Sequence, residues 1–429
     1  MPSTVDASKI EWHKASRFDP QGRLFWKDGR LFRAMWNYDA AYYQSLLDTI
    51  YQNAILSENV VRTTQTDFRI SGARGVLEHE IIWPFLPPLL WSSRMFRDAG
   101  LCHVETHIEL ARRGYTLQDA HPWNIAFRFA SPKLIDLGSI VRRDDMGLRR
   151  GLVDEYKKYV LLPLLLMSKG QASKARRYLT CSEPALCGRD LLGYISFRDA
   201  CAIIAARLSW RRLLQKDLPS LLGAIRDSIG SMSLPSHSSR FKGYHDREFG
   251  GSSEAWHAKQ RHVRRVMNEL RSASTLDIGC ATGWYSVLAA EMGNRVIAVD
   301  VDEEMVNSVY DLARRRDLPI TPCLTDACST PFSEMLVSDV VFAMAIIHHL
   351  VFTQRYDFEQ IVSVLATYAR KCLITEFMGP EDPFVRQHME DGFSFYSLDN
   401  FIHELERRFS KVTTFPSTSN NRTLLVCEK

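Results

Sequence analysis

Residues 274–286, STLDIGCATGWYS, constrain this chain more tightly than any other segment. The run Thr275–Ile278 predicts a short strand with Asp277 near its end. Gly279, Ala281 and Gly283 follow at alternate positions, and Trp284 opens a stretch of small and apolar residues that predicts a helix. A strand that enters a helix through such a turn lets backbone approach a ligand closely. From residue 255 onward helical and strand patterns alternate, which predicts an α/β unit built on a largely parallel sheet. Its second strand, Arg295–Val299, ends in Asp300, and its third approaches Asp326-Ala327. The fourth, Ser338–Ala345, runs into Ile346–Leu350, and the fifth, Cys372–Phe377, carries Glu376 near its end. An antiparallel pair over 411–416 and 422–427 completes the pattern. Gly283 stands only four positions after Gly279, one fewer than the dinucleotide fingerprint requires, which argues against NAD. A carboxylate at the end of the second strand, such as Asp300, is placed to accept hydrogen bonds from ribose hydroxyls.

On LDIGCATG, the acid-ended AVDVD, the TDA of 325–327 and AMAIIHHL, residues 255–429 resemble a class I S-adenosylmethionine-dependent methyltransferase with a Rossmann-like sheet. The resemblance implies that Asp277 and the turn Gly279, Cys280, Ala281 and Gly283 hold the methionine part of the cofactor. It further implies that Asp300 holds the ribose, with Val301 beside it in the cofactor site, that Asp326 and Ala327 edge the adenine, and that Ala343 and Met344 line the sulfonium side. Ala281 stands where the family often has glycine. Methyl transfer needs in-line geometry and, for a hydroxyl or amine acceptor, often a base. His348 and His349 follow the fourth strand, and an imidazole titrates in the range a base needs. Glu376 is the second catalytic candidate. Trp284 and Tyr285, at the helix start, are expected to pack.

The N-terminal half reads differently. Residues 22–36 form a hairpin pattern around Lys27-Asp28-Gly29, followed by helical spacing over 37–51. A long helix is expected within 86–113, a strand–loop–strand unit over 115–140, and mostly helix over 152–230. The Ser-, Gly- and Pro-rich stretch 228–240 is the linker candidate. The segment YTLQDAHPWNIAFRFASPKLIDLGSI, 115–140, places Asp119 five residues before Asn124, with Asp136-Leu137-Gly138 beyond. In phosphotransferases of the kinase type an Asp takes the proton of the attacking hydroxyl, and an Asn and a second Asp hold magnesium against nucleotide phosphates. Residues ~20–230 therefore resemble a divergent α+β kinase-like domain, and His121-Pro122 resembles the loop of the aminoglycoside and choline kinase-like group. The resemblance implies Asp119 as base, Asn124 and Asp136 as metal ligands, and ATP with magnesium as cofactors. The chain departs from that pattern in lacking a G-x-G-x-x-G loop, for which Gly29, Gly72 and Gly75 are the only substitutes. It also lacks the strand lysine, which Arg33 would replace, with Glu78 or Glu80 as the helix acid paired to it. A retained fold without phosphoryl transfer is the alternative. His103 and His107 have the i, i+4 spacing of metal ligands but no evident third partner.

Composition sets the frame for both halves. Hydrophobic residues at 45% and charged residues at 24% exclude a largely disordered chain. The net charge of +4 hides a split, +10 over 1–240 and -6 over 241–429. Basic runs at Arg142-Arg143, Arg149-Arg150, Lys157-Lys158, Lys174–Arg177 and Arg211-Arg212 would suit nucleotide phosphates, a phosphorylated substrate or RNA, yet no recognised RNA-binding motif accompanies them. Nine cysteines without a C-x-x-C pair point to reduced thiols. No signal-peptide pattern and no apolar run of the ~20 residues a bilayer needs is visible, so a cytoplasmic protein without a membrane span is expected. The expected organisation is a kinase-like domain over 1–230, a linker over 231–254 and a methyltransferase domain over 255–429. The order resembles bacterial fusions such as rhizobial nodulation-associated methyltransferases and polysaccharide-modifying enzymes, which implies a small-molecule or glycan acceptor that the N-terminal domain binds or phosphorylates. A monofunctional methyltransferase on a pseudokinase scaffold and an RNA methyltransferase with a basic clamp are the alternatives.

Overall fold

The computed structural model describes residues 4–16, 19, 21–143, 149–179, 191, 193–196, 217–235, 256–418 and 421–429. Residues 236–254 of the expected linker, Cys181, Cys187, Arg211 and Arg212 lie outside the described residues.

The first strands are β1 (Thr4–Val5), β2 (Gly22–Lys27) and β3 (Arg30–Met35). The expected hairpin turn is present: Asp28 (φ 51°) and Gly29 (φ 71°) are both left-handed, the geometry that matches a two-residue loop to strand twist. Helix α1 (Ala40–Tyr51) starts at Asp39, whose side chain accepts the amides of Ala41 and Tyr42, and it buries Tyr43, Leu46, Leu47 and Ile50. That spacing is one face of a helix. After α2 (Ala54–Asn59) come β4 (Thr63–Gln65), β5 (Arg69–Ile70) and β6 (Gly75–His79). They complete an antiparallel sheet in the order β2-β3-β6-β4, while β1 pairs with β5.

Helix α3 (Ser93–Ala111), capped by the Ser92 hydroxyl, is buried on most of its circumference from Ala99 onward. Gly100 is required where α3 crosses the 157–161 turn, since a Cβ there would lie 2.7 Å from Val160 Cγ1. The pair His103/His107 is a polar core rather than a metal site. Leu117 N–H donates to His107 Nε2 (3.2 Å), so His107 Nδ1 carries the proton and donates to the Tyr156 hydroxyl (3.2 Å), which in turn donates to His103 Nδ1 (2.8 Å). Burial keeps both imidazoles neutral, His103 pushed down to about 4. Among the described residues no cluster of three or more His, Cys, Asp or Glu is arranged to hold a metal.

Strands β7 (Tyr115–Leu117) and β10 (Ile140–Arg142) pair around the loop that carries Asp119, with the hairpin β8 (Ile125–Arg128) and β9 (Ser131–Leu134) between them. Helices α4 (Arg149–Tyr156), α5 (Leu162–Ser168), α6 (Ala172–Arg177) and α7 (Leu218–Gly230) follow. The expected, mostly helical character of 152–230 holds over most of the described residues, with turns at 169–171 and 193–196, and α7 runs into the first positions of the linker candidate.

The C-terminal region opens with α8 (Ala258–Leu270) and β11 (Ser274–Ile278), then α9 (Trp284–Glu291), β12 (Arg295–Asp300) and α10 (Glu303–Arg316). It continues through β13 (Ile320–Leu324), β14 (Ser338–Ala343), α11 (Ile347–Phe352), α12 (Phe358–Tyr368) and β15 (Ala369–Met378). It closes with α13 (Pro383–Arg386), α14 (Leu398–Glu406), β16 (Lys411–Pro416) and β17 (Arg422–Glu428). The sheet order is β13-β12-β11-β14-β15-β17-β16, parallel up to β15 and antiparallel at β17 and β16. Chain order reverses direction on the two sides of β11, so a crevice opens at the carboxyl ends of β11, β12 and β14, where such sheets bind ligands.

The two regions pack on each other through α3 and α10. The Tyr310 hydroxyl donates to Asp98 (2.9 Å), and Arg94 and Arg314 pair with Asp311 and Asp98. Tyr310 also meets Phe127 edge-on with ring centroids 6.0 Å apart. No described helix is long and apolar enough to cross a membrane.

Candidate functional site

The turn after β11 is shaped by backbone that few residues tolerate. Gly279 (φ 69°) and Gly283 (φ 83°) are left-handed, and a Cβ at either would come within 2.7 Å of Ile346 Cδ1 or 2.8 Å of Val309 Cγ2. Ala281 is also left-handed at φ 47°, a conformation that disfavours any Cβ and explains why glycine is common there. The amides of Gly279 and Cys280 both donate to Val299 O, at 2.9 and 3.0 Å, tying the turn to β12.

Two carboxylates flank it. Asp277 is 2% exposed and accepts the Ser286 hydroxyl at 2.6 Å. Burial, with Asp300 adding to it, pushes its carboxyl up to about 7. Asp300 accepts Ala281 N–H on Oδ2 and Asp302 N–H on Oδ1, each at 2.9 Å, and burial raises its carboxyl too. Each oxygen keeps a second lone pair for a ligand hydroxyl. Val301 beside it is 64% exposed, an apolar side chain at the crevice rim. Asp326 caps the next loop by accepting Cys328 N–H (2.9 Å), and Ala327 O accepts the Tyr368 hydroxyl. Ala343 and Met344 are buried at the end of β14, where the Thr375 hydroxyl holds Ala343 O (2.9 Å). These residues surround one crevice, because all lie at the carboxyl ends of neighbouring strands.

His348 and His349, on α11, have ring centroids 4.1 Å apart. Both pack edge-on against Phe384, at 4.9 and 5.1 Å, and His388 stacks on Phe384 at 4.8 Å. Sequence reasoning missed Phe384 and His388; the aromatic density between β15 and β16 was the available signal. Glu376 behaves otherwise than expected. It is fully buried, paired with Lys259 Nζ at 3.2 Å and bonded by the Ser417 hydroxyl, so its oxygens are occupied in bracing α8 against the sheet. Its position favours a structural role over the catalytic one. Trp284 and Tyr285 are buried and packed edge-on, as expected.

The second constellation lies in the N-terminal region. Asp119 Oδ1 accepts Asn124 Nδ2 (2.7 Å) and His121 N–H (3.2 Å). Burial raises its carboxyl, and the nearby Asp136 raises it further. Asp136 Oδ1 accepts Arg33 Nη1 (2.9 Å) and Gly138 N–H (3.1 Å). Arg33, from β3, is buried and also paired with Asp19. The trio Asp119, Asn124 and Asp136 thus lies together, and Arg33 reaches it through Asp136. The expected acid partner does not hold. Glu78 lies on β6 and pairs with Arg30, and Glu80 pairs with Arg128, because both follow a strand whose alternation turns them from Arg33. Asp19 takes that place, and nothing in its sequence context signalled it. Of the three glycines, Gly29 closes the hairpin, Gly72 sits in a left-handed loop, and Gly75 packs under the Tyr38 ring. For magnesium, Asn124 Oδ1 and Asp136 Oδ2 remain as oxygen donors, which fits an ion that takes one or two protein oxygens beside water and phosphate.

Residues 275–367 match the family described as "Methyltransferase domain". The nodulation protein NoeA of Rhizobium meliloti (strain 1021) is 24% identical over 467 aligned positions, covering 96% of this chain and 94% of that one. The bifunctional kinase-methyltransferase WbdD matches at 18% identity and TM-score 0.34, over 46% of this chain and 44% of its own, so this chain spans under half of WbdD. Magnesium protoporphyrin IX methyltransferase (ChlM) from Synechocystis PCC 6803, solved with bound SAM, matches at 18% identity and TM-score 0.33, over 45% of this chain and 92% of its own. Residues 275–367 of this chain form a methyltransferase domain, and an α+β region precedes it.

Proposed function

We propose that the chain methylates a hydroxylated small molecule or glycan, with 255–429 as the methyltransferase domain, 231–254 as linker and 1–230 as a kinase-like domain that binds or phosphorylates the acceptor. The observation that carries the reading is the pair Asp277 and Asp300 on either side of a left-handed glycine turn, all within one crevice.

S-adenosylmethionine supplies a methyl group activated on sulfur. In this reading the ionised Asp277 faces the cofactor's cationic methionine end, and Asp300 accepts the ribose hydroxyls with lone pairs that the Ala281 and Asp302 amides leave open. Val301 offers an apolar face to the adenine, Asp326 and Ala327 bound its edge, and the Gly279, Cys280, Ala281 and Gly283 backbone admits the amino acid portion. Ala343 and Met344 close the sulfonium side. His349, more exposed than His348, accepts the acceptor's proton, and His348 and Phe384 hold its ring. The wall of His348, His349, Phe384 and His388 pairs flat rings with polar nitrogens, a combination suited to a sugar-like acceptor.

For the N-terminal domain, Asp119 takes the proton of an acceptor hydroxyl, and Asn124 and Asp136 hold magnesium while Arg33 faces the phosphates.

A thermal-shift panel with S-adenosylhomocysteine, ATP–magnesium and both tests the reading. Saturation at 100 times Kd stabilises the native state by about 2.7 kcal/mol. A shift with S-adenosylhomocysteine is expected, and its absence at saturation refutes the cofactor assignment.

A further inference from the structure

We infer that Ser93 and Arg176, both in the N-terminal region, are positioning residues for the cofactor site of the methyltransferase domain, so that this site is complete only with the two regions docked. The inference rests on the cofactor role of Asp300 given above.

Its centre is Glu303, the first residue of α10. Glu303 Oε1 accepts both the amide and the hydroxyl of Ser93, each at 2.6 Å, and Arg176 Nη2 lies 2.5 Å from the same oxygen. Burial alone would raise this carboxyl; Arg176 and the Ser93 bonds instead hold it below the ordinary range. Arg176 is itself fixed, its Nε donating to Trp91 O at 3.1 Å. A carboxylate in the first turn of a helix already gains from the helix dipole. The extra donors from another part of the chain therefore do more than stabilise α10: they set where its first turn lies.

That first turn is the far end of the cofactor loop. Asp302 caps α10 by accepting Glu304 N–H at 2.9 Å, and its own amide donates to Asp300 Oδ1. Asp300 Oδ2 in turn holds Ala281 N–H in the glycine turn. Val301 is thus suspended between two anchors. One is the glycine turn, internal to the methyltransferase sheet. The other is Glu303, held by Ser93 and Arg176. Asp300 and Val301 depend on that second anchor for their position, so loosening it will be felt in cofactor affinity. Arg94 Nη2 also lies 3.7 Å from Glu304 Oε1 in that first turn, whereas the contacts at Tyr310, Asp311 and Arg314 lie further along α10 and hold the helix without touching this loop. Helix α6, which carries Arg176, is followed by Leu179, whose carbonyl accepts Trp123 Nε1 at 3.2 Å. Trp123 lies between Asp119 and Asn124, so α6 reaches from the kinase-like loop to the cofactor loop.

The test is calorimetric titration of S-adenosylhomocysteine into the full chain, with circular dichroism and thermal unfolding of each variant alongside. Arg176→Ala and Ser93→Ala are expected to weaken binding about tenfold, within the range of ordinary coupling between sites. Arg176→Lys, which keeps the charge, is expected to recover most of it. Tyr310→Phe removes a contact between the regions away from the loop and is expected to bind as the wild type does. Wild-type affinity in Arg176→Ala overturns this inference alone, as does an equal loss in Tyr310→Phe, which would make the effect a general loosening. Absence of binding to the wild type overturns the cofactor reading and this inference with it.

Discussion

Asp277→Asn separates what the buried carboxyl costs the fold from what it does for the cofactor. The change is nearly isosteric, and the Ser286 hydroxyl keeps an acceptor. In the wild type Asp277 has its carboxyl pushed up to about 7 by burial, with Asp300 adding to the effect. The unfolded chain releases that proton near the ordinary aspartate value of 3.8, so between roughly pH 4 and 7 the native state binds more protons than the unfolded state. Stability then falls as pH rises through that window and levels off above it. At about 1.4 kcal/mol per pKa unit the accumulated penalty is on the order of 4 kcal/mol. Asparagine has no such slope. Urea unfolding of the ligand-free protein at pH 5, 6, 7 and 8 is expected to show Asp277→Asn gaining on the wild type up to pH 7, by a few kcal/mol at most, and then running parallel. The same variant is expected to bind S-adenosylhomocysteine at least tenfold more weakly, since a hydrogen bond to a charged partner contributes about 1.5–3 kcal/mol. Parallel stability curves across the whole range would refute the raised carboxyl. Unchanged affinity would refute its contact with the cofactor.

Tyr156→Phe deletes the hydroxyl shared by His103 and His107 and leaves buried ring nitrogens without it, which is expected to cost about 1–3 kcal/mol in thermal or urea unfolding; a loss below about 0.5 kcal/mol would show that the polar core is not organised around that hydroxyl. Asp119→Asn is expected to abolish magnesium-dependent ATP turnover while leaving S-adenosylhomocysteine affinity unchanged, and turnover that survives the substitution would remove Asp119 as the base.

What reads directly from the sequence is local. The glycine turn, Asp277 and Asp300 are legible because a strand, a tight turn and a helix start are dictated by neighbouring residues, and because parallel strands all deliver their carboxyl ends to one edge. The spacing of Asp119, Asn124 and Asp136 is legible for the same reason: one loop and one hairpin hold all three. The hairpin around Asp28-Gly29, the α1 stripe and the final strand pair likewise follow from period and turn chemistry. The acid assigned to Arg33 was misplaced because a charge on a strand finds its partner by sheet register and by what packs over that sheet. Arg33 meets Asp136 from 103 positions away, and Asp19 from an irregular segment before β2.

The sequence by itself marked two constellations of polar residues and the strands and turns that carry them. Only the tertiary structure decided that Glu376 is locked to Lys259 and Ser417, that Phe384 and His388 join the histidine pair, and that Ser93 and Arg176 reach Glu303. Each of these contacts is made between elements distant along the chain. They arise when apolar faces of α3, α8, α10 and α13 find their places against the sheets, a process driven by buried area that carries no preference for the polar atoms brought together with it.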